Sequence, residues 1–336
     1  MYDVASAANV SHMTVSRAMN GQRGLSEATR ERVLDVARVL GYVRNPAARA
    51  LAGALPPRLG VILASSDPDA SARVLRGFEG AAHLAGRTIA ARSHEGDGDG
   101  LLARIAREFG DGGFSGLCVI ADGTCSGEGR PADPPLVSVS LAGREDGSDV
   151  SLDRAAGLRA ALDHLVGQGH EDIAFVGAAP GGGTALGSVL RDAGSSRIRI
   201  RVVEGESTSD FGFAVGSSPS LLGSATGVVA AHDRIALGLM HGLRRRGVAV
   251  PGEVSIIGTD DIADARHFLP ALTTVAADLE RLGRLAFAHL NAQLTGGPAP
   301  TTRVVVPRLV VRESVATSVD RSTDSAECLP SALCDR

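Results

Sequence analysis

The first twenty residues leave this chain few ways to begin folding. Asp3-Val4-Ala5-Ser6-Ala7-Ala8-Asn9-Val10-Ser11-His12-Met13-Thr14-Val15-Ser16-Arg17-Ala18-Met19-Asn20 reads as two short helices joined by a tight turn. Val4, Ala5 and Ala8 give the first helix a small apolar face at helical spacing. Val10 closes the turn, Ser11 is a favourable N-cap, and Val15 and Met19 mark the buried side of the second helix. Ala5 and Ala8 are small enough to let the two helices cross closely, as a helix-turn-helix requires. His12, Met13, Ser16 and Arg17 are left on or near the exposed face, where a helix inserted in the major groove reads base edges. The competing reading is an ordinary helical hairpin at a domain edge.

The combination Tyr2-Asp3-Val4-Ala5, Val10-Ser11, Thr14-Val15-Ser16-Arg17 and Asn20 resembles the amino-terminal signature of the lac repressor/galactose repressor family of bacterial regulators. A turn over residues 21–25 leads to a third helix capped by Ser26, with Glu27 in its first turn and Val33, Val36, Ala37 and Leu40 on one face. Gly41 ends it, so the head is a three-helix unit of about forty-five residues with a very small core. Asn45-Pro46 then starts a short segment that Gly53 stops. So short a helix is largely unfolded alone. The resemblance implies a hinge helix that orders over the operator's minor groove, with Asn45, Arg49 and Leu51 at the duplex and Leu51 as the apolar wedge. A plain linker of helical tendency is the alternative.

Charge supports a head that docks on nucleic acid. The chain of 336 residues carries a net charge of -4, which alone argues against such a partner. Residues 1–58, however, hold eight arginines against four acids, so the head is about +4 and the remainder about -8. All 34 basic residues are arginine. Without lysine there is no Walker-type phosphate loop and no Schiff-base chemistry. Cys118, Cys125, Cys328 and Cys334 show no metal-ligand spacing, and no cofactor or metal is expected. No signal peptide and no membrane-length apolar run are seen, so a cytoplasmic, nucleoid-associated protein is expected.

From Leu59 onward β-type runs alternate with helical stretches. Strands are predicted at Leu59–Ala64, Thr88–Arg92, Gly116–Ala121, Leu136–Val139, Asp172–Gly177, Arg199–Val203, Gly227–Ala231 and Val254–Gly258. Helices are predicted near Ala72–Ala85, Gly100–Phe109, Arg154–Gly167, Phe211–Leu222 and Arg234–Gly247. Such alternation means parallel sheets covered on both faces, here two Rossmann-like lobes with a ligand cleft between them. Arg76–Ala82, Gly169–Gly177, Val254–Asp261 and Leu272–Val275 also resemble the family's effector domain, which implies the periplasmic-binding-protein-like type I fold. It implies three crossings between lobes, with Ala277–Leu294 returning to the first. The expected division is a head over 1–44, hinge and linker over 45–57, a two-lobed effector-binding and dimerisation domain over 58–314, and a disordered tail over 315–336.

Ligands in such sheets sit outside the carboxyl ends of the strands. That rule selects Ser65, Ser66 and Asp67, Ser140, His232 and Asp233, and Asp260. Asp233 has a bland alternative as the cap of the following helix. The sequence departs from the family at His232, where asparagine is usual, and at Thr259, where an aromatic is usual. The family's arginine-bearing helix after the fifth strand looks shortened into the glycine-rich run 180–187, read here as a flexible connection, and Arg191 does not align well with the ligand arginine. Asp260-Asp261 are adjacent in sequence and make no catalytic dyad, and no H-E-x-x-H array occurs, so no enzyme is expected. The reading is a homodimeric, sequence-specific regulator, expected to repress, that binds a pseudo-palindromic operator. Arg17, His12 and Met13 lie near base edges, with Ser11, Thr14, Ser16 and Asn20 supporting phosphate contacts. A sugar-like or nucleoside-like effector tunes its affinity. The alternatives are a solute-binding protein of the same two-lobed fold and a regulator that has lost effector control.

Overall fold

A computed structural model describes residues 2–19, 25–40, 58–65, 67–94, 114–122, 134–141, 143, 148–178, 185–194 and 197–318. The helix expected over Gly100–Phe109, the hinge with Asn45, Arg49 and Leu51, and Asn20 lie outside them. Two compact units result, residues 1–56 and residues 57–336.

The head is three helices, α1 (Tyr2–Ala7), α2 (His12–Met19) and α3 (Glu27–Val39). Val4, Ala5, Ala8, Val15, Ala18, Val33 and Ala37 form its core. The turn between α1 and α2 passes through Asn9 at φ +52°, a left-handed conformation that asparagine tolerates better than most side chains. Ser11 accepts from the Thr14 backbone N–H at 3.1 Å, and Ser26 from that of Thr29 at 3.3 Å, so both predicted caps are made. Leu40, expected on the buried face, falls beyond the last helical turn and is half exposed.

The body repeats one topology twice. The first sheet runs β2–β1–β3–β4–β5–β11, from β1 (Arg58–Ala64), β2 (Thr88–Ser93), β3 (Phe114–Ala121), β4 (Leu136–Ser140), β5 (Val150–Leu152) and β11 (Val304–Val305). The second runs β7–β6–β8–β9–β10–β12, from β6 (Asp172–Gly177), β7 (Arg199–Glu204), β8 (Gly227–Ala230), β9 (Ser255–Thr259), β10 (Thr273–Ala276) and β12 (Arg308–Val310). All pairings are parallel except that of β10 with β12, which is antiparallel. In each lobe the order reverses beside the first strand, the position where such sheets open a crevice at their carboxyl ends. The chain crosses between lobes after β5, after β10 and after β11.

Short elements separate sequence expectation from structure. β5, β10, β11 and β12 span two to four residues each, too few for a period to register. The helix expected across 211–222 is two, α7 (Ser209–Ser217) and α8 (Pro219–Leu222). Ser218 is extended because the residue before a proline is driven out of the helical region. A helix, α6 (Ala185–Gly194), stands where the end of the glycine run suggested a flexible connection.

Helices cover both sheets. In the first lobe α4 (Pro68–Leu84) packs along α10 (Leu279–Thr295), with Phe78 and Phe287 edge-to-face at 5.6 Å. In the second, α7 packs along α9 (Asp233–Arg245), while α5 (Arg154–Gly167) covers the other face. Each helix pair meets through glycines: Gly77 and Gly283 in the first lobe, Gly212, Gly216, Gly238 and Gly242 in the second. The described chain stays attached to the second lobe through Ser318, past the expected boundary at 314. Ser255 Oγ donates to the Ala316 carbonyl at 3.2 Å, and the Ser318 N–H donates to the Gln168 carbonyl at 2.8 Å. Polar contacts of this kind leave no apolar pattern in a sequence.

Candidate functional site

In the head, the exposed side of α2 is built by its buried side. With Val15 and Ala18 packed inward, Ser11, His12, Met13 and Arg17 are exposed, and Thr14 and Ser16 are half-buried. Ser11 Oγ and Thr14 Oγ1 lie 2.9 Å apart, which ties the start of the helix. The face therefore presents a guanidinium, an imidazole, a thioether and hydroxyls on one short helix. Among the described residues, six of the seven head candidates share this face or its edge.

In the body, a cavity of about 120 Å³ opens between the lobes. Its first-lobe wall is Ala70, Leu152 and Leu279, and its second-lobe wall includes Leu158, Phe175, Val229 and Val275. His232, Asp260 and Arg154 supply polar groups at its edge. Asp67 caps α4, its Oδ1 accepting from the Ala70 N–H at 3.0 Å, and its Oδ2 reaches to 3.9 Å from His232 Nδ1. The His232 ring at the start of α9 lies 2.8 Å from Asp260 Oδ2. Residues from positions 67, 232 and 260 thus converge, with their side chains only 16–21% exposed.

Asp260 sits in a costly backbone conformation. Its φ is +110° and that of Asp261 is +49°. A non-glycine residue at such angles persists only where its neighbours hold it. Here the Asp260 N–H donates to the Val275 carbonyl at 2.9 Å, and Arg312 pairs with Asp261 at 2.5 Å. Arg73 reaches across from α4 and donates to the carbonyls of Asp260 and Ala277 at 2.9 and 3.2 Å. Arg234 of α9 pairs with Asp69 of α4 as a second tie between lobes.

Two sequence candidates are corrected. Asp233 is fully buried, accepting from Thr274 Oγ1 at 2.6 Å and from the Ile262 N–H at 2.9 Å, so no oxygen is left to face the cavity. Burial pushes its carboxyl up to about 7, against the lowering effect of those two hydrogen bonds and with help from the charges of Asp260 and Asp261. Ser140 is also fully buried, and its Oγ accepts from the Gly143 N–H at 3.3 Å. Ser140 ends β4 and Asp233 begins α9 just after β8, where topology favoured them, but their side chains turn into the protein. Ser65 is spent on Asp122, to which it donates at 2.5 Å. Ser66 lies outside the described residues.

Sequence reasoning missed Arg154, Phe175, Arg73 and the apolar walls. Phe175 is one residue of the apolar run Ile173–Val176, with nothing local to single it out. Arg73 could have been noticed, since it lies on the helix that Asp67 caps. Arg191 is on α6 and donates to Ser188 at 3.1 Å; it does not line the cavity.

Comparison with known proteins gives consistent matches along the chain. Residues 1–45 match the model described as bacterial regulatory proteins, lacI family, and residues 162–315 match a periplasmic binding protein-like domain. The HTH-type transcriptional repressor PurR of Proteus mirabilis (strain HI4320) is 31% identical across 94% of this chain and 96% of its own. The lactose operon repressor of Escherichia coli (strain K12) is 26% identical across 99% and 95%. Among solved structures, the lac repressor dimer bound to operator and the anti-inducer ONPF superposes with a TM-score of 0.82 at 25% identity, covering 94% of this chain and 98% of that one. The regulator CelR in complex with cellobiose superposes at 0.63 with 26% identity, over 93% and 98%.

Proposed function

The chain belongs to the lacI family of bacterial regulatory proteins, and from that premise we propose how its own residues carry out repression. It is a DNA-binding transcriptional repressor that acts as a homodimer on operator DNA and answers to a small-molecule effector. One observation carries the assignment of residues. The same chain holds a packed three-helix head with His12, Met13 and Arg17 exposed on its second helix, and a two-lobed body with a cavity between its lobes.

Arg17 is the base reader, since its guanidinium can donate two parallel hydrogen bonds to a guanine edge, and His12 and Met13 flank it. Ser11, Thr14, Ser16 and Asn20 position the helix on phosphates. Asn45, Arg49 and Leu51 act as the hinge that opens a minor-groove step. Arg17→Ala is expected to lower specific operator affinity by about 1–3 kcal/mol and to relax the preference at one base of each half-site. Binding measured by fluorescence anisotropy checks this; unchanged affinity removes Arg17 from the interface.

The effector enters between the lobes. The cavity of about 120 Å³ is smaller than the roughly 300–1,000 Å³ of ordinary ligand sites. A ligand seated there touches both lobes at once, so its occupancy is coupled to how one lobe stands against the other. His232, Asp260, Asp67 and Arg154 supply the polar contacts, and the apolar walls supply the area. Relatives of this family are repressors, and catalysis plays no part in the scheme. The protein works in the cytoplasm, on the nucleoid.

Selection of bound DNA from a random pool, repeated with a metabolite panel, tests the whole reading. A pseudo-palindromic consensus whose enrichment changes with one metabolite is expected; no preference over bulk DNA at moderate salt ends it. Asp260→Ala is then expected to abolish the response to that metabolite while leaving operator affinity unchanged. An intact response takes Asp260 out of the site.

A further inference from the structure

The polar end of the cavity has a feature that neither a sugar nor a nucleoside site requires. Asp67, His232 and Asp260 each offer one potential ligand atom, and the three atoms lie within 4.8 Å of one another. Asp67 comes from the first lobe at the start of α4, and His232 and Asp260 come from the ends of β8 and β9 in the second. Among the described residues this is the one such group of three.

We propose that Asp67, His232 and Asp260 hold a divalent first-row transition ion that ties the two lobes together at the cleft. The proposal rests on the reading of this cleft as the effector site, and makes the ion part of what that site binds.

Proton counting argues for a cation. An imidazole Nδ1 carries at most one hydrogen, so it can donate to only one carboxylate. Asp260 Oδ2 at 2.8 Å takes that bond, and Asp67 Oδ2 at 3.9 Å is left facing the same nitrogen. The other oxygen of Asp67 is already spent on the Ala70 N–H. Arg73 adds positive charge nearby but spends two donors on the carbonyl oxygens of Asp260 and Ala277. Asp67 Oδ2 and Asp260 Oδ2, in a partly closed cleft, thus share one imidazole donor between them. An ion in their midst would satisfy both, with Nδ1 as its nitrogen ligand.

The donor set and spacing select the class of ion. One imidazole nitrogen and two carboxylate oxygens suit zinc, cobalt, manganese or iron(II), whereas calcium seeks six to eight oxygens. Bonds of about 2.0–2.2 Å place neighbouring ligand atoms roughly 3–3.5 Å apart. The His232–Asp260 pair at 2.8 Å is already close to that, and Asp67, 3.9 Å from His232 Nδ1, needs to come nearer. That movement brings the first lobe toward the second. Three protein ligands leave at least one coordination position for water or for a donor atom of an effector in the cavity. His232, which stands where the family usually has asparagine, supplies the strongest ligand of the three.

The test uses the full-length dimer, stripped with chelator and dialysed, titrated calorimetrically with zinc chloride alone. One ion per protomer is expected, with micromolar or tighter affinity. His232→Asn should weaken binding at least tenfold with an unchanged circular dichroism spectrum. Asp67→Asn should weaken it as well, because the first lobe contributes a ligand. No binding by the wild type, or equal binding by His232→Asn, overturns the site, since zinc would then be elsewhere. Binding that Asp67→Asn leaves untouched overturns the bridge between lobes. Operator affinity, followed in the same preparation by anisotropy, keeps the two readings apart. DNA selectivity without zinc binding refutes the ion and spares the repressor, and zinc binding without DNA selectivity supports the ion while the repressor reading fails.

Discussion

Gly238→Ala is expected to destabilise the body by about 3 kcal/mol, although alanine is the better helix former by about 1 kcal/mol. A Cβ on Gly238 would overlap the carbonyl oxygen of Ser209 and lie 2.7 Å from the backbone nitrogen of Phe213. Both obstacles are main chain in a neighbouring helix, so no rotamer change relieves them. α7 and α9 would have to part along a seam that Gly212, Gly216 and Gly242 keep equally close, with loss of packing around Val215, Ile235 and Leu239. Gly80 is the matched control. It lies exposed in α4, and a Cβ there meets nothing within 4 Å, so Gly80→Ala should stabilise by about 0.5–1 kcal/mol. Urea unfolding of both variants checks the pair. Similar shifts of one sign in the two would mean that the close approach of α7 and α9 is not what fixes Gly238.

Stability should fall as pH rises from 5 to 8 through Asp233. The carboxyl ionises near 3.8 when unfolded and is held up to about 7 in the fold, principally by burial. A group whose folded pKa is raised lends its full stabilisation below the unfolded value and loses it as pH climbs through the folded one. From below pH 4 to pH 8 the change is on the order of 4 kcal/mol, roughly 2.5 of it between pH 5 and 8, upper figures because the fold can relax around the charge. Burial lowers the pKa of His170, which tilts the profile the opposite way, so the wild type alone cannot isolate Asp233. Asp233→Asn does. The amide can accept from the Ile262 N–H and donate to Thr274 Oγ1, and it has no charge to bury. The variant should come nearest the wild type below about pH 4, exceed it by a few kcal/mol at pH 8, and lack this part of the slope. Parallel profiles for the two proteins would show that Asp233 does not titrate in this window.

The head was legible because its determinants are local. Ser11 and Ser26 each accept the hydrogen bond their position called for, and Val4, Ala8, Val15, Val33 and Ala37 pack together as their spacing required. Among the described residues Leu40 misleads, because a period says where a face would be and not where the helix stops. The long strands and helices of the body were legible for the same reason. Strand-end topology brought His232, Asp260 and Asp67 to attention, but it brought Ser140 and Asp233 with equal force. At a strand end, adjacent positions differ in whether the side chain faces the cleft or the interior, and tertiary packing decides which.

By itself, the sequence determined the three-helix head, the alternation of strands and helices, and membership of a family whose signature is compact and near the start of the chain. These follow from hydrogen bonds and apolar contacts between residues a few positions apart. Only the tertiary structure decided that positions 67, 232 and 260 meet around one point, that Phe175 and Leu279 wall the same cavity, and that Asp233 is shut away from it. Those outcomes depend on how two sheets, joined by three crossings, approach each other. No interval along the chain records that distance.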